Sequence, residues 1–361
     1  MSSVPLSPSV IEGTRRLSPR GVLMGLAVVL VALALGALTV GAVPIPLTRA
    51  VSLALAVLRG ATLDESDAQA TAVLWSLRLP RIVLAIAAGA GLGAAGAVLQ
   101  GIFRNPLADP MLIGVSSGAA LAVTGVIVLG ATVFAGFAQL AGPLTLPLAG
   151  FAGGLATTAL LYRLSTQDGR TSLTTMLLGG IALNALALSG IGLLTTLATN
   201  EQLRSISFWN FGSLAGADWP VVATVATCVA LACVIVVRFA PALDALALGD
   251  REARHLGFET QALKRRAIVL AALLAGFVVA ACGVIGFVAL VAPHLVRLVC
   301  GPAHRTVLPG AALLGAVLLL AADLASRVLV APAELPIGIV TALLGAPFFL
   351  WLLMRRQRER S

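Results

Sequence analysis

An all-α, polytopic membrane fold of about ten transmembrane helices is what this sequence predicts, on three observations. First, 59% of its 361 residues are hydrophobic, only 11% are charged, and mean hydropathy is +1.03. Soluble domains carry about 25% charged residues, so this chain has too little polar surface to face water. Second, apolar runs of membrane-crossing length recur along the whole chain. Third, the cations fall unevenly between the connections that join those runs.

A helix needs about 20 apolar residues to cross about 30 Å of hydrocarbon. In lipid its backbone groups must bond within the segment, which makes helices the natural spanning form. The first arginines, Arg15, Arg16 and Arg20, precede the run Gly21–Val43. That run is longer than the about 7–15 apolar residues of a signal peptide, so it is expected to be an uncleaved first span. The candidate spans are 21–43, 82–101, 112–135, 146–163, 174–198, 219–239, 267–283, 284–300, 307–326 and 338–354. The seventh and eighth form one continuous apolar run, divided near Gly283 and Gly286. The expected organisation is a cytoplasmic tail over 1–20, one membrane domain over 21–354 and a second cytoplasmic tail over 355–361.

With the first residue inside and the spans alternating, 18 cations lie inside and 6 outside. The inside set includes Arg104, Arg251, Arg254, Lys264 and the tail arginines; the outside set includes Arg78, Arg81 and Arg327. Cytoplasmic loops gather Lys and Arg, so both termini are expected in the cytoplasm. This also accounts for the net charge of +9. With aromatics at 5%, no basic groove with interleaved rings suggests nucleic acid.

Between the spans, three connections stand out. Residues 44–81 hold Pro44, Pro46, the apolar segment Ala50–Leu58 and the acids Asp64, Glu65 and Asp67, which predicts an interfacial helix and a loop. Residues 199–218 carry Phe208, Trp209 and Phe211, with Trp219 following, which predicts a short helix at headgroup level. Asp244–Gly257 is polar and helix-forming, either a solvated connection or a short helix that docks on a partner.

Several patterns exclude chemistry. Gly91, Gly93 and Gly96 match GxGxxG, but they lie within a span and not after a strand. Gly89, Gly93 and Gly96 predict instead a face where another helix approaches closely. A P-loop needs Gly-Lys-Ser/Thr; the sole lysine, Lys264, follows Leu263, so the chain has no such site and is not expected to be an enzyme. Cys228, Cys233, Cys282 and Cys300 form no CxxC pair, and His255, His294 and His304 have no metal-ligand spacing. Neither a cofactor nor a metal is expected.

Charged residues near the span ends are more informative. Asp323 and Arg327 lie four apart, on one helix face. They predict either a structural ion pair or an outward cation that receives a partner. Arg78 and Arg81, at an expected helix start, oppose both the helix dipole and the positive-inside trend, which suggests a use for positive charge there. Arg104–Pro110 (RNPLADP) is a two-proline turn that runs into Met111–Gly118, where Ser116, Ser117 and glycines suit close packing.

The stretches LRLPR (77–81), QGIFRNPLADP (100–110), GVSSGAA (114–120), FWNFGSLAGADW (208–219), LGDREARHLG (248–257), GFVALVAPHLVRL (286–298) and APAELPIGIVTALLGAPFFLWLL (331–353) resemble the FecCD-type permease family. That family comprises membrane subunits of iron–siderophore, haem and vitamin B12 importers. The resemblance implies ten helices per subunit, a type II importer architecture and a bacterial inner-membrane location. It implies a second permease subunit, identical or paralogous, with two ABC ATP-binding subunits that hydrolyse the ATP. A periplasmic or lipid-anchored substrate-binding protein would deliver the chelate, with iron–siderophore the first expectation and cobalamin or haem the alternatives. By the same resemblance Arg78, Arg81 and Arg327 would receive acidic knobs of the binding protein. Leu248, Gly249, Asp250, Arg251, Glu252, Ala253, Arg254 and Gly257 would couple to the ATPase. Asn105 and Leu107 would form a cytoplasmic gate with Thr174, and the last span, with Pro336, Gly338, Gly345 and Pro347, would be the subunit-interface helix. The competing class is an ion-coupled secondary transporter, which usually carries acids at mid-depth; Asp323 lies toward the outer end.

Overall fold

A computed structural model describes residues 18–41, 44–59, 64–330 and 333–358. Most of the expected first tail, with Arg15 and Arg16, and the last residues, with Arg360, lie outside the described residues. Among the described residues the regular structure is helical, apart from a short hairpin, 166–167 with 170–171. In order, the helices are α1 (Pro19–Thr39), α2 (Leu47–Leu58), α3 (Glu65–Val73), α4 (Leu79–Phe103), α5 (Val115–Leu129), α6 (Ala135–Ala141), α7 (Thr145–Leu164) and α8 (Leu173–Thr196). They continue as α9 (Asn200–Asn210), α10 (Trp219–Val237), α11 (Ala240–Leu248), α12 (Asp250–His255), α13 (Thr260–Cys282), α14 (Val288–Cys300), α15 (His304–Val328) and α16 (Ile337–Arg358).

Each of the ten candidate spans falls on a helix. Among the described residues, seven helical stretches are long and apolar enough to cross a membrane: α1, α3 through α4, α6 through α7, α8, α10, α13 and α15. The other three, α5, α14 and the apolar part of α16, are shorter. The third span therefore differs from its expectation: α5 starts after a 3₁₀ turn at Pro110–Ile113 and stops at Leu129. The connection 44–81 differs more. It holds two helices, α2 and α3, and α3 runs through a π-helical turn, Leu74–Arg78, straight into α4. The widened turn accommodates Pro80, which has no N–H to give. Arg78 and Arg81 consequently lie within a continuous helical rod, and the helix-dipole argument for them fails. The dipole is instead met by Glu65 and Asp67 in the first turn of α3.

α4 is the central helix. In its most apolar window 78% of residues are buried, against 6% in α1, so α1 is peripheral. The reason lies in its small residues. A Cβ on Gly93 would lie 2.0 Å from the Ala311 carbonyl oxygen, and one on Gly96 1.8 Å from that of Ala289. Gly89 meets α15 in the same way, at Gly315. Close approach of backbones is the glycine stripe's role, as its spacing predicts. The core that results is built mostly of Ala, Val and Leu from α4, α10, α11, α13 and α15.

The division of the seventh and eighth spans also holds, with one refinement. α13 ends at Cys282, and residues 283–287 are not helical. Gly283 has φ 70°, and a Cβ there would lie 2.1 Å from the Trp209 carbonyl oxygen. α14 is thus only 13 residues long, about 20 Å, short of a full crossing. The carbonyl at the end of α13 is satisfied by a neighbour, Ser213 N donating to Cys282 O at 2.8 Å, and the adjoining residues 211–212 are bonded in turn to the start of α16, Gly338 N donating to Phe211 O at 2.9 Å and Ile337 N to Gly212 O at 3.1 Å. Irregular backbone in a membrane protein is tolerated when protein buries it in this way. α9 is the short helix expected from the aromatics of 199–218. Its start is a capping box of Thr199 and Gln202, and Trp219 Nε1 donates to Trp75 O at 2.8 Å.

Candidate functional site

The polar side chains with chemistry gather at the two ends of the bundle. At one end, α4, the close of α15 and the segment before α16 bring together charges far apart in sequence. Arg81 Nε donates to Asp323 Oδ1 at 2.8 Å, and its Nη1 donates to Glu334 Oε2 at 2.8 Å. Arg327 Nη2 donates to Asp323 Oδ2. Asp323 is fully buried, at 0% exposure. Burial of ions costs several kcal/mol each unless they are well paired; here one carboxylate serves two guanidinium groups. Arg78 is also buried, at 5%. Its Nη1 donates to the Leu38 carbonyl oxygen in the last turn of α1, where helix carbonyls lack partners. Arg327, expected as an outward cation, has a side chain only 7% exposed. The more open member of this cluster is Glu334, at 46%.

At the opposite end, the segment 244–257 is not one helix. α11 and α12 meet at Gly249, whose φ of 140° lies outside the ordinary range for other residues. Across this break the surface is mixed. Leu248 and Leu256 are exposed at 69% and 60%, flanking the exposed polar residues Arg251, Glu252, Arg254 and His255. Ala253 is fully buried and faces the bundle, and Gly257 is exposed. α11 is fixed to α15 through Asp244, whose Oδ1 accepts from His304 N at 2.9 Å and pairs with His304 Nδ1 at 2.6 Å. Asp250, first residue of α12, accepts from Arg104 Nη2 at 3.0 Å and from Lys264 Nζ at 2.5 Å.

The expected gate residues lie on two elements. Arg104 closes α4 with φ 48°, a left-handed conformation that costs a residue other than glycine about 1–3 kcal/mol. Asn105 Oδ1 then accepts from Leu107 N at 3.0 Å, and Ala108 N donates to Asn105 O at 3.1 Å, a side-chain-stabilised turn. Asp109 Oδ1 accepts from Met111 N at 2.8 Å. Desolvation pushes the Asp109 carboxyl up to about 6, against the opposing pull of the Met111 N–H. Thr174, exposed, is the second residue of α8. Among the described residues no hydrogen bond joins it to the 104–108 turn.

Sequence reasoning alone did not find Glu334, the Asp244–His304 contact or the sharing of Asp250. The uniqueness of Lys264 was the available signal for the last of these. Among the described residues no group of three or more His, Cys, Asp or Glu is placed to hold a metal ion. Along α16, Asn210, Phe211, Phe287, Gly338, Leu343 and Pro347 help line an apolar cavity of about 530 Å³.

Long apolar helices in one bundle, with the charged side chains at its two ends, make this a polytopic membrane protein. The chain belongs to the FecCD transport family, whose description matches residues 27–355, and it is a permease of an ABC importer. It is 42% identical to the hemin transport system permease protein HmuU of Yersinia pestis, over 96% of this chain and 99% of that one. It is 37% identical to the cobalamin import system permease protein BtuC of Halobacterium salinarum, over 80% of this chain and 75% of the relative. A solved structure described as an inward-facing metal-chelate type ABC transporter superposes with a TM-score of 0.79 at 34% identity, covering 93% of this chain and 99% of the other.

Proposed function

We propose that this chain moves a metal chelate across a bacterial inner membrane, driven by two separate ATP-binding subunits docked at the α11–α12 end. The observation that carries the proposal is the surface of α12. Two leucines lie bare to either side of a charged helix, in a segment held to the bundle from behind. Apolar anchors within a polar rim suit a protein partner. Under this reading Leu248, Gly249, Asp250, Arg251, Glu252, Ala253, Arg254 and Gly257 form the coupling surface. Asn105, Leu107 and Thr174 form the gate above it, and both termini lie in the cytoplasm, on the ATPase side.

At the far end a substrate-binding protein docks. Arg78, Arg81 and Arg327 supply the positive charge, and acidic groups of the binding protein reach Arg81 by displacing the half-exposed Glu334. Arg78 contributes by holding α1 against α4. A second permease subunit, a copy or a paralogue, packs along α16 and closes the apolar cavity into a pathway. The chain contributes two conformations and no bond chemistry.

The near full-length identity to a hemin permease makes haem the first chelate to test, and the cobalamin relative makes vitamin B12 the second. Ferric siderophores remain in the same substrate class. Uptake of labelled haem, cobalamin and ferric siderophores by the complete system in proteoliposomes, with and without ATP, checks the proposal. ATP-dependent uptake of one of them supports it. ATP hydrolysis by this chain alone, or uptake driven by an ion gradient without ATP, overturns it.

A further inference from the structure

We propose that Asp250 is a positioning residue that ties the partner-facing helix α12 to the 104–108 turn, so that movement of α12 carries the gate with it. The inference rests on the reading of α11–α12 as the ATPase-docking surface.

One carboxylate joins three elements. Asp250 belongs to α12, Arg104 closes α4 and Lys264 belongs to α13. The Lys264 side chain is only 5% exposed. A buried ammonium needs its counter-charge, so Lys264 fixes where the Asp250 carboxylate sits. The second oxygen is then presented to Arg104, which reaches it from a left-handed backbone conformation.

Arg104 immediately precedes the gate, and the bonds from Asn105 to Leu107 and Ala108 make the turn a stiff unit. A displacement of residue 104 is therefore delivered to Leu107. The Arg104–Asp250 pair is partly exposed, at 45% and 32%. Pairs of that kind contribute little to stability, so removing this one tests the link without endangering the fold. On the other side of Gly249, α11 is held to α15 by Asp244 and His304. The break at Gly249 thus separates a fixed helix, α11, from one whose charges run to the gate.

Arg104→Gly isolates the tie. Glycine favours the positive φ that the turn already has, so the backbone is kept and only the side-chain link is lost. In the complete transporter, ATPase association and ATP hydrolysis are expected to persist, while uptake per ATP falls about fivefold or more. Arg104→Lys is expected to restore most of the loss. Spin labels at positions 106 and 255 add a readout that a merely structural role would not move. On ATP addition their separation should hold steady in the parent and change in Arg104→Gly. Unaltered uptake per ATP, with the labels still moving together, overturns the tie. Leu248→Glu separates the two readings: if it abolishes ATPase association while Arg104→Gly is silent, only the tie falls; if association survives Leu248→Glu, the docking reading falls and the tie with it.

Discussion

At the Arg81–Arg327 end of the bundle, a fully buried carboxylate serves two arginines. At the α12 end, a carboxylate with a third of its side chain exposed serves one arginine and one buried lysine. Both are acid-with-two-cations arrangements, yet burial makes them different devices. In the first, Asp323 is enclosed and committed to Arg81 and Arg327, and only the arm of Arg81 that meets Glu334 is open. The second lies at a surface with exposed leucines alongside, so its effect reaches whatever binds there. Charge near a membrane boundary therefore does not announce its role; the solvent around each ion does.

The comparison is tested most severely by Asp323→Ala. That variant leaves Arg81 and Arg327 buried without their shared anion, and breaking such a pair costs about 3–5 kcal/mol. A strong fall in the thermal midpoint of the purified protein is expected. A change within about 0.5 kcal/mol, ordinary for surface sites, would mean that this end is as open as the other.

Leu248→Glu should show the opposite profile. A central apolar anchor of an interface is worth about 2 kcal/mol or more, so ATPase association should weaken by about thirtyfold while the thermal midpoint of the lone chain stays put. Pull-down and thermal melting, run side by side, distinguish the two profiles.

Glu334→Gln sharpens the contrast within the arginine end itself. The Glu334 side chain is 46% exposed, and exposed pairs contribute about 1 kcal/mol at most. The melt should hardly move, while binding-protein docking should strengthen as Arg81 is released; weaker docking would argue that Glu334 itself is a contact.

The effect expected at Asp109 is one of pH. Its folded-state pKa, about 6, lies above the ordinary 3.8. The folded state therefore holds the proton longer than the unfolded state. Stability contributed here is greatest below about pH 4, falls as pH rises toward 6 and is lost above it. Asp109→Asn, which keeps an acceptor for the Met111 N–H, should flatten that dependence in melts taken between pH 4 and 7. An unchanged profile would assign the dependence to another group.

Much of the architecture was legible because it is local. Ten apolar runs became ten helical positions, the stripe of Gly89, Gly93 and Gly96 became the contact face of α4, and Gly283 marked a true break. Hydropathy and backbone freedom act residue by residue, so they can be read along the chain. Helix ends and lengths were less legible. The continuation of α3 through Arg78 into α4, and the shortness of α14, depend on neighbours that satisfy backbone groups from elsewhere in the chain.

Hydropathy and charge along the chain were enough to place it in lipid, as helices, and to mark the segments that carry charge at their ends. Which cations are paired and which surface is bare came from packing. Arg81 meets an acid 242 residues away, and Arg78 turns inward to cap α1. Ion pairing depends on distance and dielectric in three dimensions, and neither quantity is written in the order of residues.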